Sequence, residues 1–189
     1  YQDRVFNSLH FDTKILTTNQ TDQLVKLCEF SPFTRWKLLY RGSRDGFEPE
    51  QFHARCDNIT RTLTVVKSGE YVFGGYASVS WDKSNRYKND SKSFLFSIVN
   101  FLGKPPTKLR IDSPLKKKII YCGEKFGPTF GANTGNDVGN DHDLFVKGKI
   151  GHSYLGTYSN NEYFYNTTTL LAGSYIFQIS EIEVFAILS

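Results

Sequence analysis

Trp36–Asp57, WKLLYRGSRDGFEPEQFHARCD, places a strand, a polar turn and a short helix in one compact run. Trp36, Leu38 and Tyr40 alternate with Lys37, Leu39 and Arg41. That is the period of a strand with one face deeply buried. Gly42, Ser43, Asp45 and Gly46 end it. The glycines supply unusual backbone angles, and the short polar side chains supply local hydrogen bonds. Pro49 then opens a helix, where its missing N–H is no loss. Phe52 and Cys56 lie four apart and share one helical face, expected against the core. His53 and Asp57 form a second pair at the same spacing.

Outward from this stretch, Thr18–Phe30 reads as an amphipathic helix capped by Thr17 or Thr18, with Leu24, Leu27 and Cys28 on one face. Thr62–Val66 and Tyr71–Ser80 read as a hairpin turned at Ser68-Gly69, and Gly74-Gly75 signals a bulge or close backbone packing. Ser93–Asn100, Ile119–Cys122, Leu144–Val146, Tyr163–Tyr165 and Tyr175–Phe177 are further strand segments, and Gly127–Asp143 reads as a long loop. In the closing strand Ile182, Val184 and Ala186 face one way, and Glu181, Glu183 and Phe185 the other. Many short strands with few helices imply an α+β chain that is mainly β. The expected architecture is a two-sheet antiparallel β-sandwich flanked by short helices.

The length of 189 residues suits one domain spanning 1–189. The lack of Met implies a fragment of a longer protein. No apolar run is long enough to span a bilayer and the start does not read as a signal peptide, so the expected compartment is cytoplasmic. The net charge of +4 is mild, and Lys116-Lys117-Lys118 is the one compact basic run. Nucleic acid is not an expected partner, because no broad basic face with interleaved aromatics is visible. Cys28, Cys56 and Cys122 match neither a zinc spacing nor a disulfide framework and read as buried thiols. Sequons at Asn19, Asn58, Asn89 and Asn166 point instead to secretion, the alternative compartment.

The chain resembles the TLDc domain, the module of oxidation-resistance proteins. The resemblance is carried by Trp36–Phe47, by Phe52-His53 and by Cys56-Asp57. It continues through Thr62–Lys67, Val72–Tyr76, Trp81 and Ser93–Ser97, then Gly127–Gly131, Asp143-Leu144 and Glu183–Phe185. Arg41, Gly42, Ser43, Asp45, Gly46, Gly74 and Gly75 are its fold signature. The resemblance implies a sandwich of two antiparallel sheets and a role in protection against oxidative stress. It also implies binding to peripheral subunits of the vacuolar proton pump, the V-ATPase. No enzyme activity defines the family. The chain departs from it in a longer link over Asn133–His142 and in Phe185, where relatives often carry Trp.

Three constellations carry candidate chemistry. Ser43 with Glu181 and Glu183 would form the polar cluster of a hydrolase-like or redox enzyme, given one carboxyl of raised pKa. The plain alternative is that the two acids lie solvated on an exposed face. Ser43, His53 and Asp57 lack a nucleophile elbow, and the simpler reading has Ser43 and Asp45 tying the turn while His53 braces it. The loop Gly135–Asp143 offers Asp137, Asp141 and Asp143 as calcium ligands, though without the Gly and terminal Glu of an EF-hand. With the sequons, it would serve an extracellular cation- or glycan-binding sandwich. Cys56 ends its helix and lacks help from the N-terminal dipole, so a structural thiol is expected. The leading expectation is a noncatalytic protein-interaction domain with no cofactor.

Overall fold

The computed structural model describes residues 11–111, 117–132, 142–159 and 168–188. The opening stretch forms β1 (Arg35–Arg41), a single helical turn α2 (Gly42–Asp45) and α3 (Pro49–Cys56). The polar residues after β1, expected as a plain turn, are therefore helical, closed by the Gly46 N–H donating to the Gly42 carbonyl at 2.9 Å. Pro49 begins α3, and Phe52 and Cys56 are both buried. Upstream lies α1 (Thr18–Leu27), capped by Thr17 in a reciprocal box with Gln20. It stops short of Phe30 because Glu29 turns left-handed at φ 61° and the Phe30 N–H reaches back to the Val25 carbonyl.

The remaining elements are β2 (Thr62–Ser68), β3 (Tyr71–Ala77), β4 (Arg86–Lys88), β5 (Phe94–Val99), β6 (Thr107–Ile111) and β7 (Ile120–Cys122). After them come β8 (Thr129–Phe130), β9 (Leu144–Lys147), β10 (Ile150–His152), β11 (Tyr158–Ser159), β12 (Ile176–Gln178) and β13 (Glu181–Leu188). They form two antiparallel sheets. The first runs β1-β13-β2-β3-β5-β6-β11, and the second β12-β10-β9-β8-β7-β4. Strands β4, β6, β8, β10 and β11 are not among the segments expected from the sequence. Most of these have two or three residues, too few to show an alternation. Strand β8 lies inside the segment expected to be a loop. Tyr163–Tyr165 falls outside the described residues.

The core between the sheets is built from Phe73 and Leu95 on one side and Phe130, Leu144, Val146 and Phe177 on the other. Trp81 is 1% exposed and stands edge-on to Phe52 and Phe130 at 5.7 and 5.5 Å. Its indole N–H donates to Thr62 Oγ1 at 2.9 Å, which satisfies the one polar atom that burial would strand. A second apolar layer covers the far face of the first sheet. There Leu63, Val65, Phe96, Ile98 and Phe185 pack under Ile15, Leu16, Leu24 and Cys28. Phe185 is fully buried, with the Phe11 ring edge-on at 4.9 Å.

Gly74 and Gly75 provide close packing. A Cβ on Gly74 would sit 1.9 Å from the Thr64 carbonyl oxygen, and one on Gly75 would sit 2.7 Å from the Phe130 ring. Gly69, in the hairpin turn, has φ +57° but open space around it. The two sites separate steric from conformational cost. Gly74→Ala is expected to destabilise by about 3 kcal/mol by forcing β2 from β3. Gly69→Ala costs about 1 kcal/mol for its left-handed backbone alone. Urea denaturation of both variants measures the difference.

Candidate functional site

The polar corner that sequence places at Ser43, Glu181 and Glu183 exists, but its bonds are those of a clamp. Strands β1 and β13 pair with Arg41 opposite Glu183. Glu183 is fully buried. Its Oε1 accepts from Arg41 Nε at 2.7 Å and from the Lys14 N–H at 2.8 Å. Its Oε2 accepts from the Thr13 hydroxyl at 2.6 Å. Arg41 Nη2 also donates to the Asp12 carbonyl at 2.7 Å and to Asp12 Oδ1 at 3.1 Å. Burial opposes the charge on Arg41, yet its bonds to Glu183 and Asp12 hold its pKa above the usual value.

Glu181 is buried as well, and its Oε1 accepts the Ser43 and Ile182 backbone N–H groups, each at 3.0 Å. The solvated pair of acids is thus corrected: α2 caps Glu181, and residues 12–14 close over Glu183. Ser43 reaches Glu181 through its backbone, while its side chain lies in an exposed residue. Asp45 does tie the turn, accepting the Arg41 N–H at 3.0 Å and Arg44 Nη2 at 2.8 Å. Its bonds with Arg44 hold its carboxyl below the usual range.

His53 does not brace that turn. It is buried, and its Nδ1 lies 2.7 Å from Asp57 Oδ1. Its Nε2 lies 3.0 Å from the carbonyls of both Gly123 and Phe126. Carbonyls only accept, so Nε2 carries a hydrogen and fastens α3 to the β7–β8 connection of the second sheet. Ser43, His53 and Asp57 do not assemble.

Asp143 is fully buried, and one oxygen, Oδ2, accepts three backbone N–H groups, those of Gly156, Thr157 and Tyr158, at 2.6, 2.7 and 2.8 Å. Among the described residues its Oδ1 has no hydrogen-bond partner. Burial outweighs the amides and pushes its pKa up to about 6. Asp137 and Asp141 lie outside the described residues. Among the described residues no three His, Cys, Asp or Glu side chains converge as a metal site. The thiols are free and buried; burial pushes Cys28 to about 12 and raises Cys56 and Cys122. Asn19, Asn58 and Asn89 of the sequons are exposed.

A feature absent from the sequence reading covers the outer face of the second sheet. Tyr87 and Tyr121 meet at 4.9 Å, Tyr121 and His142 stack at 5.5 Å, and His142 and Phe145 stack at 5.9 Å. Phe126 stands edge-on to Phe145 at 4.9 Å. Lys118 Nζ lies 5.4 Å from the Tyr87 ring centre, and Lys147 Nζ 5.9 Å from that of Phe126. The rings come singly from short strands and connections, so no local pattern announces them.

The TLDc domain profile matches residues 9–188. The chain belongs to the TLDc family. The mouse protein "MTOR-associated protein MEAK7" is 38% identical to this TLDc chain over 69 residues, covering 34% of the chain and 14% of the mouse protein. The human protein of that name is 34% identical over 68 residues, covering 34% and 14%. The zebrafish protein is 29% identical over 68 residues, covering 35% and 15%. The matched stretch is thus a small part of those longer relatives. Among the described residues no helix is long and apolar enough to cross a membrane.

Two measurements test the energetics. Glu183→Gln leaves the buried Arg41 with only the exposed Asp12 as an anionic partner and is expected to cost about 3 kcal/mol of unfolding free energy in urea. Asp143 has a raised folded-state pKa, so the folded state binds the extra proton. The stability it contributes is complete below about 3.8, its ordinary value, and is lost as pH rises through about 6. The stability of the wild type minus that of Asp143→Asn should therefore fall between those values, by something on the order of 3 kcal/mol. A flat difference would remove burial as the dominant influence on this carboxyl.

Proposed function

We propose that this TLDc domain is a noncatalytic protein-docking module whose partner is the peripheral sector of the V-ATPase, and that through it the protein serves oxidative-stress protection. One observation carries the noncatalytic part. Both carboxylates that could activate Ser43 are buried and already accept structural hydrogen bonds, Glu183 from three donors and Glu181 from two backbone amides. A general base must reach the proton it removes. A redox role for the thiols meets the same obstacle, since a reactive thiolate needs exposure and a lowered pKa. The partner is supported by the family resemblance. The names of the relatives add a second candidate, an assembly associated with mTOR.

The chain, immobilised as bait, is expected to retain V-ATPase peripheral subunits from a lysate of its source cells, read by mass spectrometry. Ser43→Ala should retain them equally. Capture lost on unfolding the bait but kept in Ser43→Ala supports docking. A Ser43→Ala bait that stays folded yet no longer protects cells against peroxide would overturn the noncatalytic reading.

A further inference from the structure

The two sheets differ in how their outer faces are closed. That of the first is sealed by α1 and by Ile15 and Leu16. The second has no such helix over it among the described residues, and its outer face carries the aromatic row. Ile150 and Ile176, on β10 and on the edge strand β12 that pairs with it, are 43% and 54% exposed. Charge is as uneven as cover. Lys117, Lys118, Lys125 and Lys147 are all exposed. Across residues 117–132, 142–159 and 168–178 the acidic residues are Glu124 and Asp143, and Asp143 is fully buried. Strand β4 adds Arg86 and Lys88, and Asp82 pairs with Lys88 at 2.8 Å. Among the described residues the surface around Lys117, Lys118, Lys125 and Lys147 is therefore cationic.

We propose that this face, with Tyr87, Tyr121 and Phe126 at its centre and Lys118 and Lys147 at its rim, docks an acidic, aromatic-bearing segment of a partner protein. The proposal rests on the docking reading above. An aromatic centre inside a charged rim is the anatomy of a protein interface. Positive rim charges steer an anionic partner and fix its register. Two other anionic ligands fit less well. Nucleobases need free ring faces to stack on. Here the Tyr121, His142 and Phe145 faces stack on one another, with interplanar angles of 23° and 22°. A lipid surface takes apolar groups that protrude into it. Ile150 and Ile176 are exposed at one end of this sheet, but the rings at its centre pack against each other along it.

A fluorescein-labelled random copolymer of Glu and Tyr is the probe, titrated into the isotope-labelled chain while amide NMR shifts are followed. The expected shifts centre on β4, β7 and β9, and binding weakens as salt is raised. Lys118→Glu combined with Lys147→Glu should weaken binding by about tenfold. Both lysines are exposed, so the melting temperature of the double variant should match the wild type. A second arm uses duplex DNA and phosphatidylserine vesicles. Either one binding this face more tightly than the copolymer overturns the choice of a protein partner. Shifts centred elsewhere, or a double variant that binds as the wild type does, overturn the site. The double variant also serves as bait. If it captures pump subunits as well as the wild type, docking stands and this face falls. If the copolymer binds here but no pump subunit is captured, the face stands and the pump is the wrong partner.

Discussion

The buried pair of Arg41 and Glu183 holds three parts of the chain in one place. Glu183 sits in the strand that joins β1 to β2, and Arg41 ends the strand beside it. Residues 12–14 complete the shell of donors and acceptors around them. A carboxylate taken fully out of water is costly unless it is paired and hydrogen-bonded. Here the bonds join three stretches far apart in sequence, residues 12–14, Arg41 and Glu183, so the pair fixes the positions of its neighbours more than it adds net stability. It seats the segment that leads into α1, and with it the apolar lid over the first sheet.

This clamp also shows what occupies a polar cluster that suggests chemistry in the sequence: its carboxylates accept structural hydrogen bonds. The residues that suggest a hydrolase are those whose hydrogen bonds define the corner. Ser43 contributes its amide to Glu181, and its hydroxyl lies outside that bond. Likewise His53, held by Asp57 at the end of α3, binds the helix to the second sheet. In both cases polar residue types that serve catalysis serve buried structure equally well, and only the direction of each bond separates the two roles.

Much of the fold was legible because it rests on local signals. The alternation in Trp36–Arg41, Pro49 at the helix start, the β2–β3 hairpin and Gly74-Gly75 are each decided within a few residues. The family resemblance then ordered them into a sandwich. The inward side of β13 was legible too, but the burial of Glu181 and Glu183 was not. That of Glu181 depends on α2, and that of Glu183 on residues 13 and 14, which lie about as far away in sequence as the chain allows. The aromatic face was hidden for a similar reason. Tyr87, Tyr121, His142 and Phe145 become neighbours only through pairings among two- to four-residue strands. Such strands are below the length at which periodicity speaks.

The position of β13 has a consequence for how the domain is made. It is the last strand of the described chain, yet it lies inside the first sheet, between β1 and β2. A ribosome delivers every other described strand before it. Until Glu181–Leu188 emerges, β1 has no partner at all in its sheet, and β2 is paired on one side only. Two strand edges then stand open at once, and Arg41 waits without its carboxylate. Open edges of this kind invite pairing with other chains, and closure across so long a separation is slow. The nascent domain therefore depends on protection of those edges up to its final residues, and loss of the last strand removes the middle of the sheet, not its margin.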